Sequence, residues 1–323
     1  MKIADMHGDS IFMMWYNRKN GIASELAKND LHMDIEKMQK ADYLAQNFAL
    51  FVNQGSGEDP YEEAMAEYKI FVEEMEKNKD KISQVFKYED ILENERKGKL
   101  SAILTLEEGE ICKGDIKKLE EFYGYGARMM ALTWNYDNSL STANVNKATW
   151  KRNYSGNRAG LTETGIEFIE RMEELGMIPD VSHMSDEGIE DLLQVAKKPF
   201  VASHSNARSL CNHPRNLTDD FLKRMGEKGC VIGTNFASIF LKENADYSKN
   251  EWIVDHICYM VDKAGIESVG FGTDFDGIEC GLEIENCSNM PVLAELLKKR
   301  GMSEEQVERI FYKNIMRLYK ELL

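Results

Sequence analysis

The sequence predicts an α/β fold, a (β/α)8 TIM barrel, formed by a single domain over residues 1–323. Three observations favour this fold class. Eight short apolar runs that resemble strands are spread along the chain, helical patterns lie between them, and unusual polar residues close several of the runs. Strand and helix alternating eight times is typical of a closed parallel barrel. An open, doubly wound sheet is the structural alternative.

The predicted strands are mostly continuous apolar runs rather than strict alternations of apolar and polar residues. This pattern is typical of strands that are buried on both faces. The eight runs cover residues 3–7, 44–52, 101–107, 127–134, 177–183, 200–204, 230–236 and 268–274.

Helical periodicity fills the intervals between these runs. Apolar residues recur at helical spacing over 189–196, between the fifth and sixth runs, and over 253–264, before the eighth. Ser303 and Gln306 form a capping-box pattern that predicts the start of the last helix.

Two intervals are longer than a minimal barrel unit needs. Residues 53–100 are rich in Glu and Lys and predict a helical insertion of one or two solvated helices. Residues 135–160 contain six asparagines and predict a loop after the fourth strand, which would lie at the mouth of the barrel. This loop is interpreted as an active-site loop or lid, with a merely flexible insertion as the alternative.

Composition restricts the partners and the location. The chain carries 40 Lys and Arg against 56 Asp and Glu, a net charge of −16, which argues against binding to nucleic acid. The first residues do not resemble a signal peptide, and the most apolar uncharged window, 230–241, is too short to cross a membrane. Six scattered cysteines without a C-x-x-C pair are interpreted as reduced thiols, so a cytoplasmic protein without a membrane partner is expected.

The strongest signal lies where the predicted strands end. Three of the six histidines, His7, His183 and His204, close the first, fifth and sixth runs, and acidic residues close the third and eighth. The carboxyl ends of barrel strands meet at one mouth, so these side chains are expected to gather there. A histidine at a strand end is alternatively a hydrogen-bonded core residue, but three such ends argue against that interpretation.

These residue types indicate a two-metal site. Imidazoles and carboxylates are ligands that borderline divalent ions favour, and here there are too many for one tetrahedral ion with an open position. His7 and Asp9 would bind one ion, His183 and His204 the other, and Glu107 would bridge them. Two such ions hold an acidic bridging water and polarise a carbonyl. The assignment of Glu107 has alternatives, because Glu108 and Glu110 are its neighbours.

Arg215 is predicted to bind the substrate. Two dications carry about +4, which Asp9, Glu107, Asp274 and one hydroxide offset, so the cluster alone would attract an anion weakly. A guanidinium nearby would bind a substrate carboxylate through two parallel hydrogen bonds. The alternative is an ordinary surface charge.

Six segments, in order along nearly the whole chain, are similar to motifs of the membrane (renal) dipeptidase family of metallopeptidases. They are DMHGD (5–9), LE (106–107), DVSH (180–183), SHSNA (203–207), HPRN (213–216) and GFGTDFDG (270–277). The resemblance implies two zinc ions held by the five ligands named above, with Glu107 as the bridge. It also implies that Asp274 transfers the proton of the bridging water and that Arg215 holds the C-terminal carboxylate of a dipeptide.

The sequence departs from the family at one position of the mouth. Secreted relatives have a substrate-contacting histidine at the end of the fourth strand, where this chain has Trp134, and Asn135 or Tyr136 are the alternative donors.

The resulting prediction is a metal-dependent dipeptidase in which bridging hydroxide attacks the peptide bond, with L,D-dipeptides among its substrates. The alternatives are a barrel metallohydrolase acting on another small amide or lactone, and a metal-binding scaffold without turnover. Relatives are often dimers, so the resemblance also implies a homodimer.

Overall fold

The structure is a computed structural model that describes residues 1–145 and 159–323. In these ranges the strands are β1 (Ile3–Asp5), β2 (Tyr43–Phe51), β3 (Ile82–Gln84), β4 (Leu100–Glu107), β5 (Ala127–Ala131), β6 (Ile178–Asp180), β7 (Val201–Ala202), β8 (Val231–Thr234), β9 (Tyr247–Ser248), β10 (Val269–Phe271) and β11 (Gly281–Leu282). The α-helices there are α1 (Ser10–Lys19), α2 (Ile35–Lys40), α3 (Pro60–Lys77), α4 (Tyr88–Arg96), α5 (Ile116–Gly124), α6 (Glu163–Leu175), α7 (Asp186–Val195), α8 (Asp219–Glu227), α9 (Ser238–Leu241), α10 (Asn250–Ala264), α11 (Pro291–Lys299), α12 (Glu304–Glu308) and α13 (Asn314–Leu322).

Eight parallel strands close into a barrel, which confirms the predicted fold class. Their order is β2-β1-β10-β8-β7-β6-β5-β4, and β4 pairs back onto β2 from Ala45↔Ser101 to Phe51↔Glu107. This last pairing closes the sheet, so the alternative of an open, doubly wound sheet is wrong. All eight predicted strand positions contain a barrel strand.

Several strands are shorter than the apolar runs that predicted them. β1, β6, β7 and β10 end before the histidine or aspartate that closes each predicted run, whereas β4 keeps its closing carboxylate, Glu107, inside the strand. For β6 and β10 the backbone gives the reason: His183 and Asp274 have φ values of +73° and +62°, in the left-handed region that a strand cannot contain. These two side chains therefore lie on turns just past the strand ends.

The interval 53–100 contains α3 and α4 and also the short strand β3, which the sequence did not predict. β3 pairs with Leu100–Ala102, at the start of β4 and before β5 begins to pair at Leu104. α3 is not simply a solvated helix, because it buries Glu63, Glu67 and Glu74. Glu67 accepts a hydrogen bond from the backbone N–H of Phe51, at 2.9 Å, which links α3 to the end of β2.

The core has two layers. The larger layer lies between the strands and the surrounding helices and includes Phe48, Leu104 and Phe168. The smaller one fills the barrel with small and branched residues and is completed by α13, whose buried Tyr319 donates a hydrogen bond to Asn47 at 2.7 Å. The end of the barrel that α13 packs against is therefore filled by apolar side chains, and the polar residues collect at the opposite end.

The remaining features concern the loop and the surface. The predicted loop 135–160 is described up to residue 145 and from residue 159, and the interpretation of its central part as a lid lies outside the described residues. No helix in residues 1–145 or 159–323 is long and apolar enough to span a bilayer. All six cysteines are free thiols.

Candidate metal centre

The structure brings the predicted site residues together at the carboxyl ends of the barrel strands. His7 and Asp9 follow β1, Glu107 ends β4, His183 follows β6, His204 follows β7 and Asp274 follows β10. All six side chains are buried or nearly so. Residues of five different strands thus meet at one point, as the closed barrel requires.

Glu107 lies at the centre of this group. Its Oε2 is 3.3 Å from Nε2 of His7, and its Oε1 is 3.2 Å from Nε2 of His183 and 3.6 Å from Nε2 of His204. One oxygen of this carboxylate therefore faces His7, and the other faces the pair of His183 and His204. Glu108 and Glu110 point elsewhere, since they accept hydrogen bonds from backbone N–H groups of the loop after β5.

The first set is rich in carboxylates. Nε2 of His7 lies 3.3 Å from Oδ2 of Asp9 and 3.6 Å from Oδ1 of Asp274, and neither Nε2 of His7 nor Oδ1 of Asp9 has a hydrogen-bond partner. Burial lowers the pKa of His7, but the negative charges of Glu107 and Asp9 outweigh it and raise the pKa well above its usual value. A side chain at Gly277 would collide with Asp9 and Asp274, so glycine leaves this space open. Such a site attracts cations.

The second set consists of two imidazoles whose tautomers are fixed by hydrogen bonds at their Nδ1 atoms. Nδ1 of His183 lies 2.8 Å from Oδ1 of Asn135, an amide oxygen that only accepts, so Nδ1 donates. Nδ1 of His204 lies 2.7 Å from Oγ of Ser203, whose hydroxyl is donated to Asp180, so this Nδ1 donates as well. Both Nε2 atoms therefore present lone pairs.

These lone pairs require a cation. The two Nε2 atoms are 2.9 Å apart, and both lie close to Oε1 of Glu107. Burial, reinforced by the charges of Arg215 and His7, lowers the pKa of His183 and His204 well below the usual value, so neither ring carries a second proton. Nitrogen lone pairs and a carboxylate oxygen at these distances repel one another unless a metal ion lies between them. The residues present fit a divalent ion of the zinc type.

The residues whose hydrogen bonds hold the predicted metal ligands in place were not predicted as functional. Asp180 binds the N–H groups of Ser182 and Ser203 at 2.9 and 2.8 Å and accepts the Ser203 hydroxyl. Asp5 does the same at the opposite side, where it accepts hydrogen bonds from His7 and Thr273. Both aspartates end barrel strands, so the rule that located the ligands also points to them, but their role depends on partners that are distant in sequence.

Asp274 is held in place by Asn235, which follows β8. The amide nitrogen of Asn235 donates to Oδ2 of Asp274 at 2.9 Å, which leaves Oδ1 directed at His7. Burial, with repulsion from Asp9 and Glu107, raises the pKa of Asp274 to about 8 despite the opposing charge of His7. A carboxyl group with these surroundings can accept and release a proton near neutral pH.

Arg215 is a buried cation at the edge of the same group. Its Nη2 donates to the carbonyl of His204 at 3.2 Å, while its Nε is buried without a hydrogen-bond partner. Burial lowers its pKa to about 10, although Asp274 and Glu107 oppose the shift. A guanidinium in this state has donors available for an anion, which argues against an ordinary surface charge.

Trp134 and its neighbours occupy the side of the mouth near His183. The ring centroid of Trp134 is 6.1 Å from that of His183. The side-chain oxygen of Asn135 is already engaged with His183, so Asn135 positions a predicted ligand. Whether Asn135 or Tyr136 also donates to a substrate stays a prediction.

A closed parallel barrel with buried imidazoles and carboxylates at its mouth defines a metal-dependent barrel hydrolase. A family model described as "Membrane dipeptidase (Peptidase family M19)" matches residues 1–322. The chain belongs to this family, and it is therefore a metal-dependent dipeptide hydrolase. The predicted family and dipeptidase activity are confirmed.

Individual relatives agree with this assignment. An uncharacterised dipeptidase of Schizosaccharomyces pombe is 29% identical over 342 residues, which cover 99% of this chain and 80% of the relative. A metallopeptidase of Rhodobacter sphaeroides, solved with a phosphinate mimic of the dipeptide L-Ala-D-Ala, superposes with a TM-score of 0.88 at 21% identity, covering 100% and 99% of the two chains. A dipeptidase described as a family M19 metallopeptidase has the same TM-score at 22% identity, with 100% and 98% covered. These two structures show a shared fold.

Proposed function

We propose that this dipeptidase works with two zinc ions, one held by His7 and Asp9 and the other by His183 and His204, with Glu107 bound to both. The observation that carries this proposal is the position of Glu107, whose two oxygens face the two ligand sets separately. Zinc supplies Lewis acidity for the scissile carbonyl and lowers the pKa of bound water toward about 7.

Arg215 would bind the C-terminal carboxylate of the substrate. Its buried guanidinium has an unpartnered Nε, and it lies against the carbonyl of His204, next to the second ligand set. A carboxylate that accepts two parallel hydrogen bonds there would hold the peptide bond of a dipeptide over the centre. In a longer peptide the same position would be occupied by an amide, which lacks the charge, so tripeptides are expected to be poor substrates.

Asp274 would move the proton. Asn235 fixes one of its oxygens, and the other faces the centre beside His7. In this position the carboxylate can take a proton from the attacking water and give it to the departing amine.

The substrate class would include dipeptides with a D-residue at the C-terminal side. The Rhodobacter sphaeroides metallopeptidase that shares this fold was solved with a mimic of L-Ala-D-Ala, which supports the proposal by similarity. The expected homodimer and cytoplasmic location also stay proposals, which light scattering of the purified protein and cell fractionation would test.

Elemental analysis combined with a dipeptide panel tests the proposed function. The panel varies chirality at the second residue and includes tripeptides and C-terminally amidated dipeptides. Two zinc equivalents per chain, with cleavage of both stereoisomers and poor cleavage of the other two groups, are expected. One metal equivalent in the fully active enzyme would refute the two-ion centre, and equal cleavage of tripeptides would refute the size limit. Glu107→Gln should lower both the metal content and the activity, whereas Glu110→Gln, its matched control, should lower neither.

A further inference from the structure

Four half-buried aromatic side chains form a continuous surface beside the metal centre, which we call the aromatic wall: Phe12, Phe51, Trp134 and Tyr136. The ring centroids of Phe12 and Phe51 are 4.9 Å apart, and those of Phe51 and Trp134 are 4.8 Å apart, both in edge-to-face contact. Tyr136 lies 6.0 Å from Trp134 on the other side. The roles proposed above for the metal ligands, Asp274 and Arg215 involve none of these residues.

The aromatic wall faces the barrel mouth. Phe51 is the last residue of β2 and is paired in register with Glu107, the central residue of the metal site. Paired residues of neighbouring strands project to the same face of a sheet, so the side chain of Phe51 projects into the mouth as that of Glu107 does. Trp134 continues the same surface to within 6.1 Å of His183, measured between ring centroids.

The strand order places Phe51, in the middle of the aromatic wall, opposite the strand that precedes the Arg215 loop. Phe51 ends β2, and Arg215 lies in the loop after β7. Around the closed barrel, β7 is four strands from β2 in either direction, through β1, β10 and β8 or through β4, β5 and β6. The metal ligands lie between these two positions, at the centre of the mouth.

Glu108 holds the backbone of the aromatic wall at Trp134. This buried residue has a φ of +128°, a strained value for any residue except glycine, and its Oε2 accepts the backbone N–H of Trp134 at 2.9 Å. Its Oε1 accepts hydrogen bonds from the N–H of Glu110, at 2.9 Å, and from the amide of Asn138. Two of these hydrogen bonds, from Trp134 and Asn138, anchor the loop after β5 and fix the backbone of Trp134.

We infer that the aromatic wall is the subsite for the side chain of the substrate's N-terminal residue and that it selects large apolar or aromatic side chains there. The inference rests on the proposed binding of the substrate carboxylate by Arg215. With that carboxylate at β7 and the peptide bond at the centre, the N-terminal residue extends toward β2, where it meets the edges and faces of four aromatic rings. Burial of an apolar side chain against such rings strengthens binding in proportion to the area covered.

Turnover of three dipeptides by the zinc-loaded enzyme tests this inference: L-Phe-L-Ala, L-Ala-L-Phe and L-Ala-L-Ala. The kcat/KM of L-Phe-L-Ala should exceed that of L-Ala-L-Ala by about tenfold or more, a range that side-chain burial in an apolar pocket can supply. The corresponding gain for L-Ala-L-Phe should be smaller. We call the kcat/KM of L-Phe-L-Ala divided by that of L-Ala-L-Ala the N-terminal ratio. Phe51→Leu and Trp134→Leu, which keep an apolar side chain in place, should each reduce this ratio severalfold.

Phe86→Leu serves as the matched control. Phe86 is 45% exposed and follows β3, which pairs with the first residues of β4, so it lies far from the mouth. This variant should keep the wild-type ratio. A wild-type ratio near one, a larger gain at the C-terminal position, or variants that leave the ratio unchanged would overturn the inference while the dipeptidase function stands. No hydrolysis of any of the three dipeptides would overturn the proposed function and this inference together.

Discussion

Replacement of Arg215 by Met separates binding from stability, because the structure predicts that the two change independently. The guanidinium is 2% exposed, has one hydrogen bond to a carbonyl and leaves Nε unpartnered. Two charge-assisted hydrogen bonds to a substrate carboxylate would be lost, at about 1.5–3 kcal/mol each. Taking about 3 kcal/mol as the net loss, kcat/KM for a dipeptide should fall about 150-fold.

The same change should not destabilise the fold. An unpartnered buried donor costs about 1–3 kcal/mol, and methionine fills a similar space without a charge. The variant should therefore unfold at the same temperature as the wild type or a few degrees higher, measured by calorimetry.

Two substrates make this prediction decisive. In Arg215→Met, the kcat/KM of a dipeptide with a free carboxylate should fall nearly to that of the same dipeptide with a C-terminal amide. The amide itself should be cleaved at close to the wild-type rate. Arg215→Lys should recover only part of the loss, since an ammonium group cannot form the planar pair of hydrogen bonds. Equal losses for both substrates, accompanied by a lower unfolding temperature, would show that Arg215 is a structural residue and would refute the argument.

Three further predictions address the metal and the buried carboxylates. Ser203→Ala breaks the link from Asp180 to His204 and should weaken zinc binding about 10- to 100-fold in a chelator competition, while the exposed Ser209→Ala should not. Removal of zinc with a chelator should lower the unfolding temperature, because metal at 1,000 times its dissociation constant stabilises the folded state by about 4 kcal/mol. An unchanged unfolding temperature would contradict a metal site in the folded protein. Burial raises the pKa of Glu67 well above its usual value, so the folded state retains a proton longer than the unfolded state. The free energy of unfolding should then fall as pH rises above about 4.5. In urea unfolding, Glu67→Gln should gain stability relative to the wild type between pH 5 and pH 8. A difference in unfolding free energy between the two proteins that does not change with pH would contradict this.

The sequence alone determined the barrel and the candidate ligands. Strands buried on both faces leave continuous apolar runs, and histidines or carboxylates directly after such runs have few structural explanations. His7, His183 and His204 could be selected by this local signal, which needs only the residue types and their place relative to a strand. The family motifs then supplied the substrate class.

The tertiary structure decided the relations between residues that are distant in sequence. No local pattern indicates that Ser203 links Asp180 to His204, that Asn135 fixes the tautomer of His183, or that Asn235 holds Asp274. These contacts depend on which strands are neighbours and on the register between them.

The same reason explains the two features of the mouth that sequence analysis missed. Phe51 ends the strand opposite β7, which precedes the Arg215 loop, only because β4 pairs with β2 and closes the ring with three strands between β2 and β7 on either side. The left-handed turns at His183 and Asp274 likewise became visible only in the backbone, since both residues lie inside apolar runs that predict extended strands. Local composition determined what gathers at the barrel mouth, and strand pairing decided how it is arranged.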